Sequence, residues 1–195
     1  MEQEARIHPD SRADWRAWLE EHQSDASGVW LVSWQARLHR PTVSYEEAVE
    51  EALCFGWIDG KTRRVDDERT MVRFSPRRRG SVWARSNKER VARLEAAGMM
   101  AEAGRRAVEV ARADGSWTRL DAVEEMAIPE DLALALAARP GARDHFDAYS
   151  PSARKGVLGW IALAIRPETR ARRVSLAADV AERGDRPATL WQRVD

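Results

Sequence analysis

Between Arg12 and Gln23 the positions Trp15, Trp18, Leu19 and His22 recur at the i, i+3, i+4, i+7 spacing of a single helix face. The next run, Val29-Trp30-Leu31-Val32, has no such period. Four consecutive strand-forming residues predict a strand covered on both faces, and His39-Arg40-Pro41 breaks it. From Ser44 the pattern is helical again through Phe55, with Ala48, Val49, Ala52 and Leu53 inward and with Ser44 and Glu47 at the spacing of a capping box. Gly56 stops this helix. Trp57-Ile58-Asp59-Gly60 then opens an extended run that turns at Asp66-Asp67-Glu68, and the return run sets Thr70, Val72 and Phe74 on one face and Met71 and Arg73 on the other, until Pro76.

A second capping box, Ser86 to Glu89, predicts a helix with Val91 and Leu94 inward and Gly98 at its end. Met99 to about Ala113 reads as another, with Ala103, Ala107, Val110 and Ala111 apolar and Gly115 closing it. Pro129, Pro151 and Pro167 stand where first helical positions are expected, because a missing amide hydrogen costs nothing there. They predict short helices at about 129–138, 141–148, 151–165 and 167–183, the last ended by Gly184. Strands gathered early and helices late predict an α+β fold: a small antiparallel or mixed sheet with packed helices, followed by a helical carboxyl-terminal part. The expected division is an α+β domain over 1–120 carrying the basic loop and a helical region over 121–195 packed on it, the two forming one compact unit.

A chain of 195 residues, 44% apolar and 33% charged, can bury a core beneath a densely charged surface, which excludes disorder. Most of its nine tryptophans are expected in that core. The amino terminus has no apolar leader segment and no run of eighteen apolar residues follows, so neither a signal peptide nor a membrane span is expected and the location expected is cytoplasmic. A lone Cys54 and four scattered histidines (8, 22, 39, 145) argue against disulfides, metal and other cofactors. The formal charge of zero hides an asymmetry: Lys61 to Arg93 holds twelve Lys/Arg against four acids, +8, balanced by −8 elsewhere.

The segments YEEAVEEALCFGWIDGKTRRVDDERTMVRFSPRRRGSVWARSNKERV (45–91) and SPSARKGVLGWIALAIRPETRARRV (150–174) resemble the YdeI/OmpD-associated (bacteriocin-protection) family, a similarity spanning about Trp30 to Gly184. The resemblance implies a protective or resistance role against bacteriocins or antimicrobial peptides, with no agreed catalytic mechanism.

Three segments carry candidate chemistry. In the first, Gly56 and Gly60 flank a junction where Asp59 and Lys61 alternate onto one strand face with Trp57, a stacking surface beside an acid and an amine; a turn around a core indole is the structural alternative, and stands ahead for Trp57. The second runs from Arg73 to Lys88. Arg73, Ser75, Arg77, Arg78, Arg79, Ser81, Trp83, Asn87 and Lys88 lie on or beside a loop that ends at a helix amino terminus, where free amides, arginine forks and hydroxyls hold a phosphate or carboxylate. The same arginines with Trp83 or Phe74 as stacking faces suit single-stranded nucleic acid, although a pI near 6.9 places that reading behind. The third segment, two helices bearing Lys155, Trp160, Arg166, Arg170, Arg172 and Arg173, has a helix-turn-helix outline, yet bundle packing is expected, with Leu158, Trp160, Ile161 and Ile165 as core. Cys54, between Leu53 and Phe55, is expected to be buried and inert.

The leading expectation is a protective protein whose arginine-rich loop binds an anionic small molecule, an antimicrobial compound or an anionic part of a partner. An enzyme on a small anionic substrate, using Asp59 or Cys54 with Lys61 or Arg73, and a nucleic-acid binder are the alternatives.

Overall fold

The computed structural model describes residues 5–24, 26–188 and 190. Two compact units divide the chain, residues 1–117 and 118–195. The fold is α+β, with its sheet in the first unit.

In the first unit the elements are β1 (Arg6–Ile7), α1 (Arg12–His22), β2 (Val29–Trp34), α2 (Tyr45–Cys54), β3 (Trp57–Arg64), β4 (Arg69–Pro76), α3 (Arg85–Ala96) and α4 (Glu102–Ala113). The sheet runs β1-β2-β4-β3, with β1 parallel to β2 and the remaining pairs antiparallel, so it is mixed. β2 is central, and its first four residues are buried on both faces as the unbroken apolar run predicts. Alternation along β4 divides the sheet. Phe74 and Val72 join the main core, whereas Met71 meets Trp30 and Val32 in a small cluster on the other face.

Aromatic contacts knit the main core. Trp15 lies 5.4 Å from both Trp18 and Phe74, and Trp18 meets Trp57 edge-on at 5.8 Å. The Trp15 indole donates to the Ala48 carbonyl at 3.0 Å, which satisfies its buried N–H and ties α1 to α2. Beside it, Glu51 is 1% exposed and accepts from Arg12 at 2.5 Å and Arg16 at 2.7 Å. Desolvation alone would lower the pKa of these guanidiniums, but the Glu51 carboxylate outweighs it and raises both. Glu51 thus places a carboxylate on the inner side of α2.

The Ser44–Glu47 capping box is present, with the Ser44 amide 3.0 Å from the Glu47 carboxylate. The second expected box is not: α3 begins at Arg85 with Ala84 as its cap, so Ser86 falls one residue inside the helix where its hydroxyl cannot cap. Between α2 and α4 the backbones nearly touch. A Cβ built at Gly104 would lie 2.2 Å from the Cys54 carbonyl oxygen, which also accepts from the Ala101 amide at 3.0 Å.

The second unit is helical: α5 (Asp121–Glu124), α6 (Glu130–Ala137), α7 (Ala142–Asp147), α8 (Pro151–Ala162) and α9 (Pro167–Glu182). Pro151 and Pro167 begin their helices as expected, but Pro129 caps α6 from outside, and the single-turn α5 had no periodic signal. Leu132, Leu136, Phe146, Leu158, Ile161 and Val180 form its core. Trp160 is half-buried against it, whereas Ile165 is 77% exposed, because α8 ends at Ala162 and leaves Ile165 in the connection to α9. The cations of the α8–α9 pair are largely spent on packing: Lys155 bonds Glu124, Arg170 holds Asp131 at 2.7 Å, and Arg173 donates to the Trp160 carbonyl. Trp191 falls outside the described residues. Among the described residues no helix is long and apolar enough to cross a membrane.

Gly104→Ala forces a methyl into the Cys54 carbonyl and should cost about 1–3 kcal/mol in urea unfolding. Glu51→Ala removes the buried carboxylate shared by two guanidiniums each 31% exposed but leaves Arg12 with Glu50 and Arg16 with Glu20, and should cost about 2 kcal/mol, less than a fully buried pair because water reaches both arginines.

Candidate functional site

Three features of the sequence converge where β4 ends. Gly56, at φ +73°, turns the chain out of α2, and its carbonyl accepts from the Arg77 amide at 2.9 Å. The arginine triplet then folds over a turn in which the Ser81 amide reaches the Arg78 carbonyl at 3.0 Å, with Gly80 at φ +77°. Opposite stands α4, whose Ala103, Ala107 and Ala111 follow one another at every fourth position and leave a low wall. Between loop and helix lies a cleft of about 280 Å³, lined also by Phe55, Trp83, Arg106, Val110, Asp114 and Ser116.

Arg77 is the unusual member. Its guanidinium sits 3.5 Å from the centre of the buried Trp83 ring and donates through Nη1 to the Val82 carbonyl at 3.2 Å. Nε and Nη2 are withdrawn from water and have no hydrogen-bond partner among the described residues. This desolvation pushes its pKa down to about 10, with only the charge of Asp59 acting the other way. Arg78 and Arg79 beside it are exposed. Facing them, Asp114 accepts from the Gly80 amide at 3.0 Å and the Ser116 amide at 2.9 Å. Hydrogen bonding from Ser116 foremost, then from Gly80, with Arg79 nearby, holds its carboxyl below the usual aspartate range.

Of the residues singled out in the sequence, Arg77, Arg78, Arg79, Ser81 and Trp83 come together on this cleft. The others do not line it. Trp57 is 1% exposed and belongs to the core. Asp59 accepts from the Tyr45 hydroxyl at 2.8 Å, Lys61 is exposed within an irregularity in the β3–β4 pairing, and Ser75 pairs with Ile58 in the sheet. Arg73 lies over Gly28, where a Cβ would meet its Nη2 at 2.6 Å. Asn87 accepts from Arg90 at 3.0 Å, and the Lys88 ammonium lies 5.6 Å from the Trp117 ring. The +8 stretch is therefore only partly convergent: Arg90 and Arg93 pair with Glu46 and Glu50, Arg69 with Asp66, and Arg64 with Asp67.

The alternatives meet obstacles. Trp83 and Phe74, the stacking faces a nucleic acid would need, are 1% and 0% exposed. Cys54, Asp59, Lys61 and Arg73 are absent from the lining of the cleft. Cys54 is fully buried, and burial, followed by the charge of Glu51, pushes its thiol up to about 11 despite the opposing Arg16.

Sequence reasoning missed the α4 side of the cleft: Arg106, Asp114 and Ser116, with the alanine wall between them. The alanine spacing was visible, but an apolar helix face reads as core until its partner is known.

Two family models match the chain. One, described as a domain of unknown function (DUF8412), covers residues 7–107, and the other, described as bacteriocin-protection, YdeI or OmpD-associated, covers residues 125–184. The second bears out the resemblance drawn from residues 150–174 and suggests a bacteriocin-protection-related role, while the block at 45–91 falls inside the first. Neither the curated proteins nor the solved structures gave a match.

With its pKa near 11, the Cys54 thiol of the folded protein should react with a maleimide or an aromatic disulfide at pH 8 only after denaturant is added. Rapid labelling of native protein would contradict that placement.

Proposed function

The chain belongs to the DUF8412 family through its first unit, and from that premise we propose that the cleft between the arginine triplet and α4 binds a small anion in the service of a protective, bacteriocin-related role. The observation that carries this reading is Arg77. A buried guanidinium with two unpartnered donor atoms is costly, because the water it has lost is not replaced by any protein acceptor. An arriving carboxylate or phosphate supplies that acceptor once the loop admits it, and Trp83 holds the fork flat for bidentate bonding.

Arg78 and Arg79 supply the rest. Exposed at the rim, they attract an anion through a field that salt weakens, and they close on it from the solvent side. Ser81 adds a hydroxyl to the lining. The reading places this work in the cytoplasm, where a lone buried thiol stays reduced. It requires no cofactor and assigns no bond-breaking step.

Inorganic pyrophosphate is a suitable probe, titrated calorimetrically at two salt concentrations. Arg78→Ala/Arg79→Ala should weaken its binding about tenfold and flatten the salt response, with little change in melting temperature. Arg77→Met should abolish binding yet leave stability equal or higher, because an apolar chain on Trp83 has no donors to satisfy. Unchanged pyrophosphate binding in both variants would remove this reading of the cleft.

A further inference from the structure

The cleft does not carry positive charge alone. Asp114 stands in its lining beside four arginines, 77, 78, 79 and 106. It is also the residue that caps the carboxyl end of α4, where the last carbonyls of a helix gather a partial negative charge of about half an electron. A site built only to hold an anion has no use for a carboxylate and a helix carboxyl terminus in its wall, since both repel the ligand. Hydrogen bonding from Ser116 foremost, and from the Gly80 amide, moreover keeps the Asp114 carboxyl below the usual aspartate range.

On the reading of the cleft as an anion site, we infer that its ligand is an amino-carboxylate, whose carboxylates meet the arginines of the triplet and whose ammonium meets Asp114 and the end of α4. The charges lining the cleft fit that class. The amides of Gly80 and Ser116 each take one oxygen of Asp114, and each oxygen keeps a lone pair for a further donor. Four cations against one acid leave an excess of positive charge, which favours a ligand with more carboxylates than amines. The alanine wall, Ala103, Ala107 and Ala111, offers only a shallow apolar surface, suited to a short carbon skeleton. At about 280 Å³ the cleft is at the small end of ligand pockets, which suits a small molecule.

Succinate and L-aspartate make the test, because they differ only by the α-ammonium. Titrated calorimetrically into the full chain, L-aspartate should bind at least about fivefold more tightly than succinate. In Asp114→Asn that preference should vanish, with succinate binding somewhat better than before because a repelling charge has gone. N-acetyl-L-aspartate, which keeps both carboxylates and loses the ammonium charge, should fall to the succinate level on the unaltered protein, a comparison that holds even if Asp114→Asn fails to fold. Equal binding of succinate and L-aspartate overturns the inference, as does a preference that survives in Asp114→Asn. If succinate, L-aspartate and pyrophosphate all fail to bind, the anion reading itself is lost; if pyrophosphate binds and succinate and L-aspartate bind equally, only the amino-carboxylate assignment is.

Discussion

Everything in the first unit that bears on the cleft depends on one close approach. Gly104 lets α4 come down on the end of α2 until the Cys54 carbonyl occupies the space of a side chain. The same carbonyl accepts from Ala101 and so fixes the entry of α4 as well as its distance. Gly56 then leaves α2 with a positive φ under Ala103 and Ala107, and a Cβ there would meet both at 3.0 Å. Because the Gly56 carbonyl holds the Arg77 amide, the arginine triplet is registered against α4 through backbone alone. The wall and the rim of the cleft are set by main-chain contacts, and side chains fill what remains.

Charge in this unit is sorted by the same geometry. Arginines on helix faces that pack beside acids are consumed: Arg12 and Arg16 by Glu51, Arg90 and Arg93 by Glu46 and Glu50. Those on the β3–β4 turn pair with its own aspartates or lie over tryptophan rings, as Arg63 does at 4.8 Å from Trp30. Such exposed pairs contribute little to stability and leave little field. The triplet sits on a loop facing the alanines of α4, with Asp114 the carboxylate of the same lining, while Lys61 and Arg85 remain exposed away from it. A sum over sequence of +8 therefore overstates the field, while its location in space is narrower than the sum suggests.

The fold was legible because its signals are local. The period of α1, the apolar run of β2, the Ser44–Glu47 box and the alternation along β4 each follow from residues a few positions apart. The errors were local as well: Ser86 and Glu89 have capping-box spacing, but the chain after Trp83 was already extended into Ala84, and the helix started before the serine could cap it. Half of the candidate site was legible for the same reason, since Arg77, Arg78, Arg79, Ser81 and Trp83 are neighbours in sequence. Asp114, more than thirty positions away, was not, because nothing in its own surroundings marks it as the partner of Gly80. Asp59, Lys61 and Arg73 failed in the opposite sense. Asp59 and Lys61 flank Gly60 and Arg73 lies across from them on β4, but strand geometry sends the three to a tyrosine, to open solvent and to the backbone at Gly28.

An arginine stacked on Trp83 shields the indole from solvent, which is one account of Arg77. Packing, however, needs only the aliphatic stem and one face of the fork, and a methionine or leucine would provide it without stranding donors. The depressed pKa marks the electrostatic cost of using arginine instead, with Asp59 too weak a neighbour to offset it. Among the described residues no acceptor meets two of its donor atoms, and these lie beside the cleft. The proposed anion and the cost of burying this guanidinium thus bear on the same few atoms, which is why the cleft rather than the sheet is the place to test for a ligand.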